Sequence, residues 1–160
     1  MMNKIGLGGS CHWCTEAIFQ SLKGVDKVEQ GWISSIETPT FSEAVIVYFD
    51  SKEIDFSILL EIHLRTHSST SSHSMREKYR SAIYSFSDDQ FKVCEQILRD
   101  LQTQFSDPLI TAVHHFDSFK LNTENYLDYY RTNPNKPFCK NVIDPKLSEL
   151  RRHFAQYVAP

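Results

Sequence analysis

Apolar residues recur along this chain with two periods, and the segments they mark alternate between strand and helix. Ile5-Gly6-Leu7-Gly8-Gly9 reads as a strand running into glycines; Ala17, Ile18, Phe19 and Leu22 then mark a helix that starts near Cys11 and stops at Gly24. Residues 25–34 form a strand anchored by Val25, Val28 and the Trp32-Ile33 pair, and Thr38-Pro39-Thr40 breaks it. Residues 43–49 are the strongest strand, rich in β-branched and aromatic side chains and buried on both faces toward its end. Asp55 caps a helix to about Arg65, with Phe56, Leu59, Leu60 and Ile62-His63 on its apolar face. Residues 67–78 are serine-rich, have no hydrophobic period and form a loop.

Residues 79–86 are a further strand, and Ser87-Asp88-Asp89-Gln90 has the form of a capping box before a helix that carries Phe91, Cys94, Leu98 and Leu101. Cys94 is therefore a core residue. A strand over 109–116, a tyrosine-rich helical segment over 123–131 and an irregular stretch at 133–137 follow. Asp144-Pro145 opens the last helix, aspartate as N-cap and proline in the first helical position. The first half thus runs β-α-β-β-α-β, the order of a ferredoxin-like α/β plait with a mixed sheet, which a further helix, strand and long C-terminal extension decorate. One domain spans residues 1–160, its core at about 1–132 and its extension at 133–160. The turn at Cys11 lies at the carboxyl end of the first strand, where open α/β sheets place ligands.

A chain of 160 residues that is 41% hydrophobic and 12% aromatic buries one sizeable core. Its net charge of -3, with scattered basic residues, gives no general attraction to nucleic acid or to a membrane surface. No stretch has the length of a membrane span or of a secretory leader, which implies a cytosolic protein. Four cysteines are too few for a secreted disulfide scaffold.

Chemistry concentrates in Gly8-Gly9-Ser10-Cys11-His12-Trp13-Cys14-Thr15-Glu16. A cysteine at a helix N-terminus meets unpaired main-chain N–H groups and the positive end of the dipole, which favour the nucleophilic thiolate. The two-residue spacing lets Cys14 reach back for disulfide exchange. Half of a zinc site and inert packing are the competing readings. Zinc needs about four ligands, whereas Cys94 and Cys139 are isolated, and His114 and His115, adjacent on a strand, point to opposite faces.

The same run resembles the Gly-Cys-Phe-Trp-Cys/Gly signature of the A-type peptide methionine sulfoxide reductases. Further segments agree in the same order: Gly24-Val25 through Gly31-Trp32, Phe41-Ser42-Glu43-Ala44-Val45, Tyr79-Arg80-Ser81-Ala82-Ile83-Tyr84, and Asn122-Thr123-Glu124-Asn125-Tyr126 with Asn133-Pro134 and Phe138-Cys139. The resemblance implies that Cys11 attacks the sulfoxide sulfur and is left as a sulfenic acid, while Glu43 protonates the departing oxygen and Tyr79 hydrogen-bonds it. A glutamate at the head of an apolar strand is partly desolvated, which favours the protonated acid; an exposed strand-start residue is the plainer reading of Glu43 alone. Trp13, with His12 beside it, would cradle the substrate methyl group. The resolving thiol is Cys14, or Cys139 from a mobile Pro-flanked tail, or both in relay. No metal or prosthetic cofactor is implied; the partners are methionine sulfoxide, free or in proteins, and thioredoxin or another dithiol as external reductant.

The chain departs from the family pattern at three places. His12 replaces a phenylalanine; Ser74 stands where an aspartate is usual; and the connection from Trp32 to Glu43 is short and lacks the family's second oxygen-binding tyrosine. Loss of one such donor typically costs about 10²–10³ in turnover. Two other readings therefore stay open: a weakly active or non-catalytic relative that binds methionine-containing segments through Trp13, and a general Cys-x-x-Cys disulfide oxidoreductase, which needs no acid such as Glu43.

Overall fold

The run expected to be apolar on both faces is β3 (Ser42–Asp50), and the computed structural model, which describes residues 2–72 and 74–160, shows why. β3 lies between β1 (Met2–Gly8) and β2 (Val25–Ser35), antiparallel to both. Val45, Val47 and Phe49 face a core shared with helices, whereas Ala44 and Ile46 face a second core inside the sheet. Strand periodicity alone sends alternate residues to these two interiors.

The expected β-α-β-β-α-β order is present, but the sheet is not an open plait. β1 also pairs antiparallel with β4 (Ala82–Ser85), and β5 (Ala112–Leu121) pairs antiparallel with β2 and parallel with β4. The result is a closed barrel of order β1-β3-β2-β5-β4. The strand expected as decoration satisfies both free edges at once, which is the reason for closure. Ile33, Ala44, Ile46, Ala82 and Tyr84 fill the interior. A Cβ on Gly6 would come to 2.8 Å from Tyr84 Cβ, so the filling needs glycine there.

Outside the barrel, α1 (His12–Gln20), α2 (Phe56–Arg65) and α5 (Asp144–Phe154) cover β1 and β3 in one core that includes Ile5, Leu7, Ile18, Phe19, Leu60 and Leu147. Asp55 and Ser87 cap α2 and α3 (Asp88–Gln102): Asp55 Oδ1 accepts from Ser57 N at 3.2 Å and Ser87 Oγ from Gln90 N at 3.1 Å. Cys94 is fully buried. No helix among the described residues is long and apolar enough to cross a membrane.

Several boundaries differ from expectation. α1 ends at Gln20, and Gly24, with φ +86°, instead makes the turn into β2. Tyr79 is not in a strand: its N–H closes a turn onto Met75 O, and Arg80 N–H donates to Ser42 Oγ, so ladder pairing begins only at Ala82. β5 starts later and runs on to Leu121 because β2 pairs with it there. The tyrosine-rich segment is broken by Asp128 in the left-handed region (φ +52°), leaving a 3-10 turn at Glu124–Tyr126 and the short α4 (Tyr129–Thr132). Asp144 is not an N-cap. A π-helical turn, Cys139–Ile143, runs straight into α5, and the Asp144 carboxylate accepts from the Tyr130 hydroxyl instead.

Candidate active site

β1 ends in glycines that α2 and the serine-rich loop hold from outside. Gly9 has φ +145°, and a Cβ there would overlap the His67 ring. His63 Nε2–H donates to Gly8 O at 2.7 Å; Arg76 Nη1 donates to both Gly9 O and Tyr79 O at 2.8 Å, its Nε donates to Ser71 O, and its Nη2 to Ser68 O. The loop read from sequence as irregular is thus tied to the turn it covers, and among its residues Ser74 falls in the 3-10 turn Ser74–Glu77.

Cys11 is the N-cap of α1, with φ -51° and ψ 131°. Its thiol is held below the ordinary range, first by a hydrogen bond from the Cys14 thiol and then by the main-chain N–H groups of Trp13 and Cys14, against the opposing effect of burial and of the Glu43 charge. The Cys14 thiol is pushed up in return, because it donates to Cys11 and is itself buried. All four cysteines are free thiols. Cys139 also acts on Cys14 electrostatically; it is fully buried in its π-helical turn, not on a free tail. A cleft of about 540 Å³ opens beside Cys11, with Tyr79, His67, Met75, Phe138 and Lys146 in its walls.

Glu43 is 6% exposed, and its Oε1 accepts the N–H of His12, the first residue of α1, at 3.1 Å. Its Oε2 lies 3.5 Å from Lys78 Nζ. No local sequence signal marks Lys78; the Tyr79 side chain and the Glu43 charge push its proton affinity up. The geometry therefore brings Cys11, Glu43, Tyr79 and Lys78 to one end of α1.

His12 does not stand free beside Trp13. Its ring is buried against β2, Nδ1–H donating to Gly31 O at 3.0 Å and Nε2 facing Asn122 Nδ2 at 3.3 Å, and burial pushes its pKa down. It meets Trp32 edge-on, with ring centroids 5.1 Å apart.

Trp13 lies in an aromatic cluster. Tyr129 stacks on it at 3.9 Å and 6°, Tyr126 at 5.6 Å, and Phe138 meets it edge-on at 5.5 Å. The buried carboxylate of Glu16 accepts the N–H groups of Asp128 at 3.0 Å and Tyr129 at 3.1 Å, and so seats that stack. The sequence signal for Glu16 is slight, a single acid four residues after His12 and so on the same helix face.

Among the described residues no group of three or more His, Cys, Asp or Glu is disposed to hold a metal ion. His114 and His115 bond separately, to Ser35 Oγ at 2.9 Å and to Glu37 at 2.6 Å.

A profile of the peptide methionine sulfoxide reductase family matches residues 3–158. A peptide methionine sulfoxide reductase MsrA 1 from Rhodopirellula baltica is 30% identical over 95% of this chain and 87% of its own length, and an MsrA from a Psychrobacter species is 33% identical over 99% of each. Among solved structures, Mxr1 of Saccharomyces cerevisiae in its reduced form is similar with a TM-score of 0.77 and 21% identity, over 86% of this chain and 89% of that one; Mxr1 has also been solved in complex with Trx2.

Proposed function

The chain belongs to the peptide methionine sulfoxide reductase family, and from that premise we propose how its residues divide the work of reducing methionine sulfoxide with a thiol. Cys11 is the nucleophile. The observation that carries this reading is its place at the N-terminus of α1, where two main-chain N–H groups and the Cys14 thiol stabilise the thiolate at the wall of an open cleft.

Attack of the thiolate on the sulfoxide sulfur breaks the sulfur–oxygen bond. That attack forms a bond between the Cys11 and methionine sulfurs; Glu43, entering the step protonated, gives its proton to the oxygen, Tyr79 donates a hydrogen bond to it, and the hydroxyl passes to the Cys11 sulfur as the sulfur–sulfur bond breaks, so that methionine leaves and Cys11 is left as a sulfenic acid. Trp13, with the rings around it, forms the apolar seat for the substrate methyl group. His12, buried beneath, serves this site through its N–H to Glu43 and not as a wall of the pocket. A second thiol then attacks the sulfenic sulfur and expels water, giving a disulfide that an external dithiol of the thioredoxin type, available in the cytosol, returns to two thiols. Mxr1 assembles with such a partner. No prosthetic group is required.

The test is turnover on resolved epimers of methionine sulfoxide with thioredoxin or dithiothreitol. Reduction of the S epimer alone is the expected result, since epimers are handled by separate enzymes. Equal turnover of both, or of neither at high enzyme, overturns the assignment.

A further inference from the structure

We propose that Lys78 is a further catalytic residue, its ammonium group making the second contact to the sulfoxide oxygen that the short connection between Trp32 and Glu43 leaves unfilled. The inference rests on the functional reading above. Lys78 is held to the acid through the main chain: its carbonyl accepts from Glu43 N–H at 3.0 Å and from Ser42 Oγ at 2.8 Å, and its own N–H donates to Met75 O at 3.1 Å. The backbone at position 78 therefore moves with the start of β3, and its side chain starts beside both oxygen-directed groups.

That side chain is 57% exposed, so no packing demand bends it toward the site. It nevertheless reaches Glu43 Oε2 at 3.5 Å and lies 5.3 Å from the centre of the Tyr79 ring, bridging the acid and the phenol. An ammonium has three donors, so it can hold Glu43 and still meet another acceptor. The acceptor whose charge grows during the reaction is the sulfoxide oxygen, and a cation there stabilises the transition state more than the ground state. The Cys11 thiol is lowered chiefly by Cys14 and main-chain N–H groups, whereas the Lys78 ammonium lies against the Glu43 carboxyl. The lysine thus acts on the oxygen end of the reaction.

Three readouts test this in the full-length protein. Lys78→Gln is expected to slow methionine release in a single turnover at saturating S-sulfoxide by about 10²-fold, while Lys78→Arg keeps the rate within about fivefold. Alkylation of Cys11 by iodoacetamide should stay within about twofold of the unaltered protein in both variants, because the thiolate is stabilised elsewhere. In a Glu43→Gln background, Lys78→Gln should still slow the step; an effect that vanishes there would mean the lysine only places Glu43, and would overturn the proposal. A Lys78→Gln protein as fast as the unaltered one overturns it too. If the unaltered protein turns over neither epimer, the functional reading falls and takes this assignment with it, which separates the two failures.

Discussion

In the mechanism proposed above, Cys14 has two tasks, which a change of one atom separates. Its thiol donates to the Cys11 sulfur, and it is within electrostatic reach of Cys139. Replacement by serine keeps a donor and removes the redox sulfur. Cys14→Ser is therefore expected to release about one methionine per enzyme in a single turnover, yet to slow steady-state turnover with thioredoxin about tenfold or more, with Cys139→Ser the milder change. Peptide mapping after one turnover without reductant checks the order: a bridge from Cys11 to Cys14 should form first. A first-formed bridge from Cys11 to Cys139 would show that the buried π-helical turn opens before the local thiols meet.

At the scale of elements, α1 and the segment leading into α4 are joined by a single buried carboxylate. Glu16 is 1% exposed; both of its oxygens are taken by main-chain N–H groups, and Gln30 adds a side-chain bond, while burial pushes its pKa up. The left-handed Asp128 is tolerated because that clasp, together with Gln20 Nε2 on Asp128 Oδ1, over-determines it. Glu16→Gln keeps one acceptor and turns the other into a donor facing a donor. We expect it to destabilise the fold by about 1–2 kcal/mol, the relief of a buried charge offsetting part of the lost bond. It should also raise acrylamide quenching of Trp13 fluorescence, read in a Trp32→Phe background, since Tyr129 no longer lies flat on the indole. Unchanged quenching and stability would show that the ring stack holds itself.

For the whole molecule, buried histidines set the response to acid. His63, 2% exposed, is pushed down to about 4 by burial; its Nε2–H is spent on Gly8 O, and its Nδ1 has no partner among the described residues to welcome a proton. His67 and His12 are shifted the same way by burial. The unfolded chain takes up these protons near pH 6.5 and the folded chain does not, so stability is full above that pH and falls as pH drops toward 4. His63 alone accounts for a loss on the order of 3 kcal/mol across that window. Denaturant titrations at pH 7 and 4.5 measure it, and His63→Gln, whose amide still donates to Gly8 O, should flatten the slope by a comparable amount. An equal slope in both proteins would place the acid response elsewhere.

Local rules acting over a few residues determined the element order, the placing of Cys11 at a helix start, the caps at Asp55 and Ser87 and the two-faced burial of β3. Each of these depends on periodicity or on a side chain bonding its own neighbourhood, which the sequence carries by itself. The resemblance to the family was legible for the same reason, since its motifs are contiguous runs. Barrel closure was not, because β5 is equally strand-like as an edge or as a bridge, and only its pairing with both β2 and β4 decides. Tyr79 reads as a strand residue until Arg80 bonds Ser42, 38 positions away in the chain. Lys78 over Glu43, Glu16 under Tyr129, His12 turned toward Gly31 and Cys139 packed near Cys14 are likewise long-range contacts. Their energies exist only once distant segments meet, so tertiary structure alone decided how a readable cysteine became a site with an acid, a cation and an aromatic wall.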